Sequence, residues 1–293
     1  MPAATPITNP PRPPLPSHPF TSIRTTRKII NQHLDQLCFG TSHTQYLHFP
    51  SLPPTPFTTL SLGRYDGRHT LPKCVRLTYD SSKEEMVVKL MGTPKLECSH
   101  RFLEWRIFST IRGMGMDWEE LVPNSATTCR SGGVEREPDS SYTPRERGKD
   151  GWPTVVVGAG FSESVEFLRW DAGWWVGGSE GEVRVAVIII LHLDERKIVL
   201  ETWEPSRDET KRVTRSAARR VSRTQEVCIS KDAVEGAPLV LGFEKVFGRT
   251  KGVGEGDIVF SAQELGEWAK KVWWDDEDRL FSREVVGMLG SVV

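Results

Sequence analysis

The sequence predicts an α/β fold of the α+β kind, in which a buried sheet is flanked by helices. Three observations in the stretch 152–203 lead to this prediction. An unbroken apolar run at 155–157, and longer runs rich in β-branched and apolar residues at 183–193 and 197–203, have the composition of strands. Between the first two, apolar residues recur at helical spacing over 165–175. Runs without polar alternation are typical of strands covered on both faces, so we expect the core here.

The overall composition restricts the class of protein. The chain has 293 residues, 38% hydrophobic and 26% charged, as in an ordinary globular protein of one large or two small domains. Its formal net charge of −1 means that nucleic-acid binding would need a local basic patch. The five cysteines are dispersed and form no CxxC pair, which argues against a zinc ribbon and indicates a reducing compartment.

The sequence shows neither a leader peptide nor a membrane span. The proline-rich N-terminus lacks an apolar stretch of about 7–15 residues. The longest apolar run, 183–193, contains Arg184 and His192 and is far shorter than the roughly 20 residues that a bilayer requires. We therefore expect an intracellular protein of the cytoplasm or nucleus, without membrane contact.

Residues 1–60 are expected to form a largely disordered, proline-rich tail, because they hold 12 of the 20 prolines. A second interpretation concerns the segment PPRPPLP. It has the composition of a polyproline II ligand for a protein partner with an SH3- or WW-type domain. Within the tail, helical spacing of apolar residues predicts a short helix at 25–39.

The folded domain is expected to span 71–274. Runs at 74–80 and 85–91 predict two strands joined by a polar turn. Apolar residues at helical spacing predict a helix over 95–112, with Gly113 ending it.

The middle of the domain continues with short elements. Polar segments at 125–129 and 133–142 predict strands or hairpin arms, and the second contains Asp139 directly after a proline. After the valine run, the segment 158–160 predicts a tight exit from the strand, and Ser162 predicts the N-cap of the next helix.

A basic segment follows the core at 207–223. Seven cationic residues and two acidic ones give a local net charge of +5. One interpretation is contact with nucleic-acid phosphates or a nuclear-import signal, and the other is a solvated loop. The cationic residues are Arg207, Lys211, Arg212, Arg215, Arg219, Arg220 and Arg223.

The C-terminal part returns to regular elements. Short strands are predicted at 227–230 and 257–261. Ser261 with Glu264 forms a capping-box pattern at the start of a predicted helix. The last residues, 275–293, form an acidic segment with a short helix.

Several segments in order resemble the restriction-endonuclease-like PD-(D/E)XK superfamily, in particular an uncharacterised fungal branch related to bacterial Uma-type proteins. They are EREPDSSYTP, WPTVVVGAGFSES with LRWDAGWW, EVRVAVIIILHL with KIVLETWEP, and PLVLGFEKVFG. The resemblance implies a mixed sheet of about four strands flanked by helices. The activity that it implies is Mg²⁺-dependent cleavage of phosphodiesters, in which two carboxylates on adjacent strands hold the ion beside the phosphate.

Only part of the catalytic motif is carried over. Asp139 matches the first acid and would be the metal ligand, but the second acid falls on Gly158. The motif lysine falls on Gly160, or on Trp175 where relatives carry it in the helix. Since Mg²⁺ is typically held through one or two carboxylates, we expect activity to be severely reduced or absent.

The resemblance therefore leaves three hypotheses. The first is a catalytically degenerate nuclease-like domain that acts as a binding or scaffold module for nucleic acid, with Asp139 and Glu163 at its site. The second is an active Mg²⁺-dependent endonuclease whose second acid has moved to Glu163 or Glu201. The third is a protein-interaction module that uses the proline-rich tail.

Overall fold

The computed structural model describes residues 11–64, 71–148, 150–206 and 221–274. This part of the chain contains α1 (Ile23–Cys38), α2 (Pro54–Leu62), α3 (Pro94–Gly113), α4 (Val165–Gly178), α5 (Phe243–Phe247) and α6 (Ala262–Val272). The first seven strands are β1 (Tyr46–Phe49), β2 (Val75–Asp80), β3 (Glu85–Leu90), β4 (Leu121–Pro123), β5 (Cys129–Ser131), β6 (Val134–Arg136) and β7 (Ser140–Pro144). The others are β8 (Val155–Phe161), β9 (Val185–His192), β10 (Lys197–Pro205), β11 (Val221–Ile229), β12 (Val234–Glu235), β13 (Leu239–Leu241) and β14 (Ile258–Phe260).

The larger sheet is mixed and has seven strands in the order β12-β11-β10-β9-β8-β7-β4. β8 and β9 are parallel, and α4 connects them, whereas their outer neighbours β7 and β10 are antiparallel to them. A parallel pair needs a crossover connection, which is why the helix stands between these two strands in sequence. The predicted fold, a mixed sheet flanked by helices, is confirmed.

A second sheet packs beside the first. It is antiparallel, in the order β1-β3-β2-β6-β5, and a separate pair joins β13 to β14. Alternate side chains of β8 and β9 enter two different apolar clusters. Val155 and Val157 pack in the cluster that includes buried residues of α3 and of the second sheet, and Val156 packs with α4. Both faces of the central strands are thus covered, as the unbroken apolar runs predicted.

Two local predictions around β8 are wrong. The segment 158–160 is not an exit turn, because β8 continues in register with β9 as far as Phe161. Ser162 is not the N-cap of α4. A short 3₁₀ turn, Ser162–Ser164, comes first, and the hydroxyl of Ser162 donates to Glu163. Glycine weakens an isolated strand, but pairing with β9 holds Gly158 and Gly160 in the extended conformation.

The described part of the N-terminal region belongs to the fold. The helix predicted at 25–39 is α1, which buries Ile30, Leu34 and Leu37. β1 then pairs with β3 along its length. These contacts extend the folded body to residues N-terminal of 71, since β1 is itself a strand of the second sheet. Residues 1–10 lie outside the described residues.

Other elements agree with their predictions. β2, β3 and α3 lie where the patterns placed them, and α6 begins with the capping box of Ser261 and Glu264. The predicted strand at 227–230 is the end of a longer one, β11. Of the C-terminal segment 275–293, nothing lies within the described residues. In the described ranges, no helix is both long enough and apolar enough to cross a bilayer.

Candidate functional site

The site predicted at Asp139 is built where β7 meets β8. The antiparallel register pairs Ser140 with Val157, and the backbone N–H of Asp139 donates to the carbonyl of Val157. Continuing this register by one residue places Asp139 opposite Gly158. The first acid of the motif and the position of the second acid are therefore neighbours on adjacent strands.

The second sheet brings two cations to Asp139. Lys89 on β3 is paired across the sheet with Arg76 on β2 and with Tyr46 on β1. Cross-strand partners project from the same face of a sheet. The Nζ of Lys89 donates to Oδ2 of Asp139 at 2.5 Å, and Nε of Arg76 lies 3.8 Å from Oδ1.

Asp139 is buried and remains ionised. Its side chain is 1% exposed, and Oδ2 also accepts a hydrogen bond from the backbone N–H of Ala159 at 2.7 Å. Burial by itself raises the pKa of this carboxyl. The charges of Lys89, Arg76 and His100, together with the hydrogen bond from Lys89, outweigh burial and hold the pKa below its usual value.

The two glycines of β8 differ in the space around them. A Cβ at Gly158 would lie 3.9 Å from Nζ of Lys89 and 3.7 Å from Leu168, which are ordinary contacts. A side chain at position 158 would thus start towards the ammonium group that holds Asp139. A Cβ at Gly160 would lie 2.7 Å from Oε1 of Gln45 and 2.8 Å from Leu168. A Cβ at position 160 would therefore have to displace Gln45 or Leu168, whereas position 158 has room for one.

Gln45 completes the edge of β8 beyond Asp139. Its side-chain amide donates to the carbonyl of Ala159 at 3.2 Å and accepts from the N–H of Phe161 at 3.2 Å. β7 no longer pairs with β8 at these residues. The buried amide thus satisfies backbone groups that would otherwise lack a partner.

Asp171 and Trp175, the helical positions of the motif, contact each other. The indole Nε1 of Trp175 donates to Oδ2 of Asp171 at 3.1 Å, and Arg136 donates to Oδ1 at 2.6 Å. The guanidinium of Arg136 also lies over the rings of Trp170 and Trp174. Burial raises the pKa of Asp171, and the charges of Arg136 and Lys89 offset part of this rise. A tryptophan that donates to this acid thus stands at the helical position where the sequence resemblance implies a lysine.

Glu163 faces a cavity, and its carboxylate is held by His43 and Ser162. Its Oε1 lies 2.8 Å from Nδ1 of His43, its Oε2 accepts from Ser162, and half of its side chain is exposed. Burial raises its pKa, but its hydrogen bonds with its own N–H, His43 and Ser162 outweigh burial, so the pKa lies below its usual value. Glu163 lines a cavity of about 330 Å³ together with Gln45 and Tyr46.

Glu201, the other candidate for the second acid, lies two strands away from position 158 in the sheet. It is paired across β9 with Ile188, which is paired with Gly158 on β8. Neighbouring strands are about 4.8 Å apart, so Glu201 lies about 10 Å from Gly158 and about 14 Å from Asp139 across the sheet. Its fully buried carboxylate accepts hydrogen bonds from Arg169, Arg223 and Trp203.

The residues at Asp139 do not fit a Mg²⁺ site. Mg²⁺ needs hard oxygen ligands, but Gly158 contributes none and Lys89 occupies Oδ2 of Asp139. The charges of Lys89 and Arg76 would also repel a divalent cation. Within the described ranges, no three His, Cys, Asp or Glu side chains are grouped so that they could hold a metal ion.

Sequence reasoning missed the groups that contact Asp139. Lys89 and Arg76 are cations that each stand between two apolar residues of a strand, and a charge in such a position indicates a buried partner. This signal was present in the runs at 74–80 and 85–91. The identity of the partner was not, because Lys89 and Asp139 are 50 residues apart in sequence.

The basic segment lies mostly outside the described residues. Of its seven cations, Arg223 is described, and the other six fall within 207–220. Arg223 lies on β11 and pairs with Glu201 and Glu226, so these carboxylates offset its charge. The segment leaves the sheet after Pro205, at the end of β10, and returns at Val221.

Comparisons with known proteins give a weak structural similarity. No protein-family model and no curated protein matches the chain. A similar solved structure is the crystal structure of "a putative nuclease belonging to DUF820" from Anabaena variabilis. The alignment covers 66% of this chain and 90% of that chain, with 12% identity and a TM-score of 0.38.

Proposed function

We propose that the chain is a restriction-endonuclease-like domain that does not cleave phosphodiesters and serves as a binding module. One observation carries the proposal. The carboxylate at the position of the first acid is neutralised by Lys89, and Gly158 stands opposite it without a side chain. An ammonium group occupies the place in which a nuclease would need a divalent cation.

The order of elements supports the nuclease-like part of the proposal. The sequence resemblance implies an acid on one strand, a second acid on the adjacent strand, a helix, and a further strand. Asp139, position 158, α4 and β9 follow one another in this order. The order of these elements agrees with the resemblance, whereas the glycine at position 158 departs from it.

The proposed ligand is nucleic acid, contacted through the six cations of 207–220. These residues stand in a net positive segment that connects the end of β10 to the start of β11, where Pro205 and Val221 are paired. Binding through phosphates would be independent of base sequence and would weaken steeply as salt rises. Arg223 is left out of this set because Glu201 and Glu226 offset its charge.

The first experiment measures cleavage. The purified chain is incubated with plasmid and with single-stranded DNA in Mg²⁺ and in Mn²⁺, beside Asp139→Asn. We expect no product above the level of the variant. Cleavage by the natural chain that is lost in a folded Asp139→Asn protein would contradict the proposal.

The second experiment measures binding. Fluorescence anisotropy with a labelled duplex is recorded at several salt concentrations, with the six cations of 207–220 changed to serine in a matched variant. We expect weaker binding and a log–log salt slope shallower by as much as about 5, if all six contact phosphates. Equal slopes in the two proteins would exclude this segment as the contact.

A further inference from the structure

The proline-rich segment 11–16 is docked in a groove of its own fold. The groove runs between α4 on one side and β1 and β3 on the other. Three cavities of about 330, 380 and 420 Å³ adjoin the segment along its length. Residues 11–16 of the PPRPPLP motif, for which one interpretation was a ligand of another protein, therefore lie against the chain's own fold.

The segment has the exposure pattern of a polyproline II helix. Residues 11, 14 and 17 are exposed, whereas residues 12, 15 and 18 are half-buried. This period of three residues is that of polyproline II. Proline fixes its own φ, and the residue before a proline is held in the extended region. Each of residues 11–16 is a proline or directly precedes one, and none belongs to a helix or strand.

Aromatic side chains form the floor of the groove. Tyr46 and Phe167 line the cavity beside residues 13–16, and Trp170 and Trp203 line the cavity beside residues 11–14. The half-buried Leu15 packs against the apolar cluster of α4. Grooves lined by aromatic residues are the recurring means by which proteins bind polyproline II segments.

A charged contact fixes the direction of the segment. Nη1 of Arg12 donates to Oε2 of Glu85 at 3.1 Å, and Nη2 lies 3.0 Å from Nε2 of His48. Further along, the N–H of His48 donates to the carbonyl of Pro16, and the N–H of His18 donates to the carbonyl of His48. The ion pair at Arg12 and the backbone hydrogen bonds at residues 16–18 together hold the segment in this register along β1.

We infer that this groove is a binding site for proline-rich peptides in the polyproline II conformation, with an arginine at the position of Arg12. Residues 11–16 are its resident ligand within the same chain. A peptide of the form Arg-Pro-Pro-Leu-Pro from another protein competes for the same aromatic floor and for Glu85. The inference goes beyond the proposed function and is independent of it, since it involves neither DNA nor Asp139.

The experiment uses the full chain and a labelled peptide with the sequence of residues 9–18. In a matched variant, Pro11, Arg12, Pro13, Pro14 and Pro16 are changed to serine, which empties the groove without changing chain length. We expect the variant to bind the peptide 10²- to 10⁴-fold more tightly than the natural chain, because the tethered segment competes at a high effective concentration.

A charge exchange tests specificity. A peptide with Arg12→Glu should bind the emptied chain at least tenfold more weakly, and Glu85→Lys in that chain should reverse the preference. If the serine variant fails to fold, Arg12→Glu in the full chain keeps every proline and weakens the contact with Glu85. This variant should bind the natural peptide more tightly than the unmodified chain does.

Three results would overturn the inference. One is the absence of saturable binding to a variant whose circular dichroism and unfolding transition show that it is folded. Another is equal peptide affinity for the natural and emptied chains. The third is equal affinity for the natural and charge-reversed peptides. None of these depends on whether the chain cleaves or binds DNA.

Discussion

Removal of the ammonium group that holds Asp139 is the most direct test of the site. In Lys89→Met, the carboxylate of Asp139 loses a hydrogen bond of 2.5 Å from a side chain that is itself 10% exposed. Loss of one partner from a buried ion pair typically costs about 3–5 kcal/mol, because a charge is left uncompensated. Arg76, at 3.8 Å, retains part of the compensation, so we expect about 3 kcal/mol at neutral pH.

The matched control removes both charges. In Lys89→Met with Asp139→Asn, the asparagine side-chain oxygen still accepts from the N–H of Ala159, and methionine replaces the aliphatic stem of the lysine. Replacing both partners of a buried pair is often close to neutral, so the double variant should be more stable than Lys89→Met alone. A double-mutant cycle should give a coupling energy of at least about 2 kcal/mol.

Urea or guanidinium unfolding at neutral pH measures these differences, with the slope of the transition checked for each variant. Without Lys89, burial raises the pKa of Asp139, so acidification neutralises the stranded carboxylate. The destabilisation should therefore be smaller at about pH 4.5 than at pH 7. Additivity of the two single substitutions within about 0.5 kcal/mol would refute the pair as a coupled unit.

Three further predictions concern β8 and the neighbouring charges. Gly160→Ala should lower the free energy of unfolding by about 1–3 kcal/mol, because its Cβ would meet Gln45, whereas Gly158→Ala should lower it by less than about 1 kcal/mol. Similar losses for the two variants in thermal or urea unfolding would contradict this. The pKa of Asp139 is lower in the folded chain, so its contribution to stability is present above about pH 4 and is lost as pH falls through the folded pKa. In Asp139→Asn, the free energy of unfolding should therefore fall less steeply with acidification than in the natural chain. Glu201→Ala should lower the free energy of unfolding by about 1–3 kcal/mol, because the buried indole N–H of Trp203 loses its acceptor, whereas the partly exposed Arg169 and Arg223 regain water. An unchanged unfolding midpoint would refute this role.

The sequence was sufficient for elements whose signal is local. Runs rich in β-branched and apolar residues predicted β8, β9 and β10, and helical spacing predicted α1 and α3. The capping pattern at Ser261 predicted the start of α6. In each case, the residues that specify the element are neighbours along the chain, so their chemistry can be read without the fold.

Glycine misled the local interpretation of β8. Gly158 and Gly160 predicted a turn, since isolated strands are weakened by glycine. The ladder to β9 keeps both residues extended, and the close approach of Gln45 and Leu168 explains the glycine at 160. These neighbours come from other elements, so the sequence around 158–160 contains no sign of them.

The sequence by itself determined the α/β fold class, the main strands, and the absence of a carboxylate at position 158. The tertiary structure alone decided what occupies that place. Lys89 reaches Asp139 across 50 residues of chain, and Gln45 reaches Ala159 across 114. Such contacts depend on how the second sheet packs against the first, and residues 11–16 find their groove in the same way. Local patterns cannot specify them, because burial and pairing between distant segments exist only after the chain has folded.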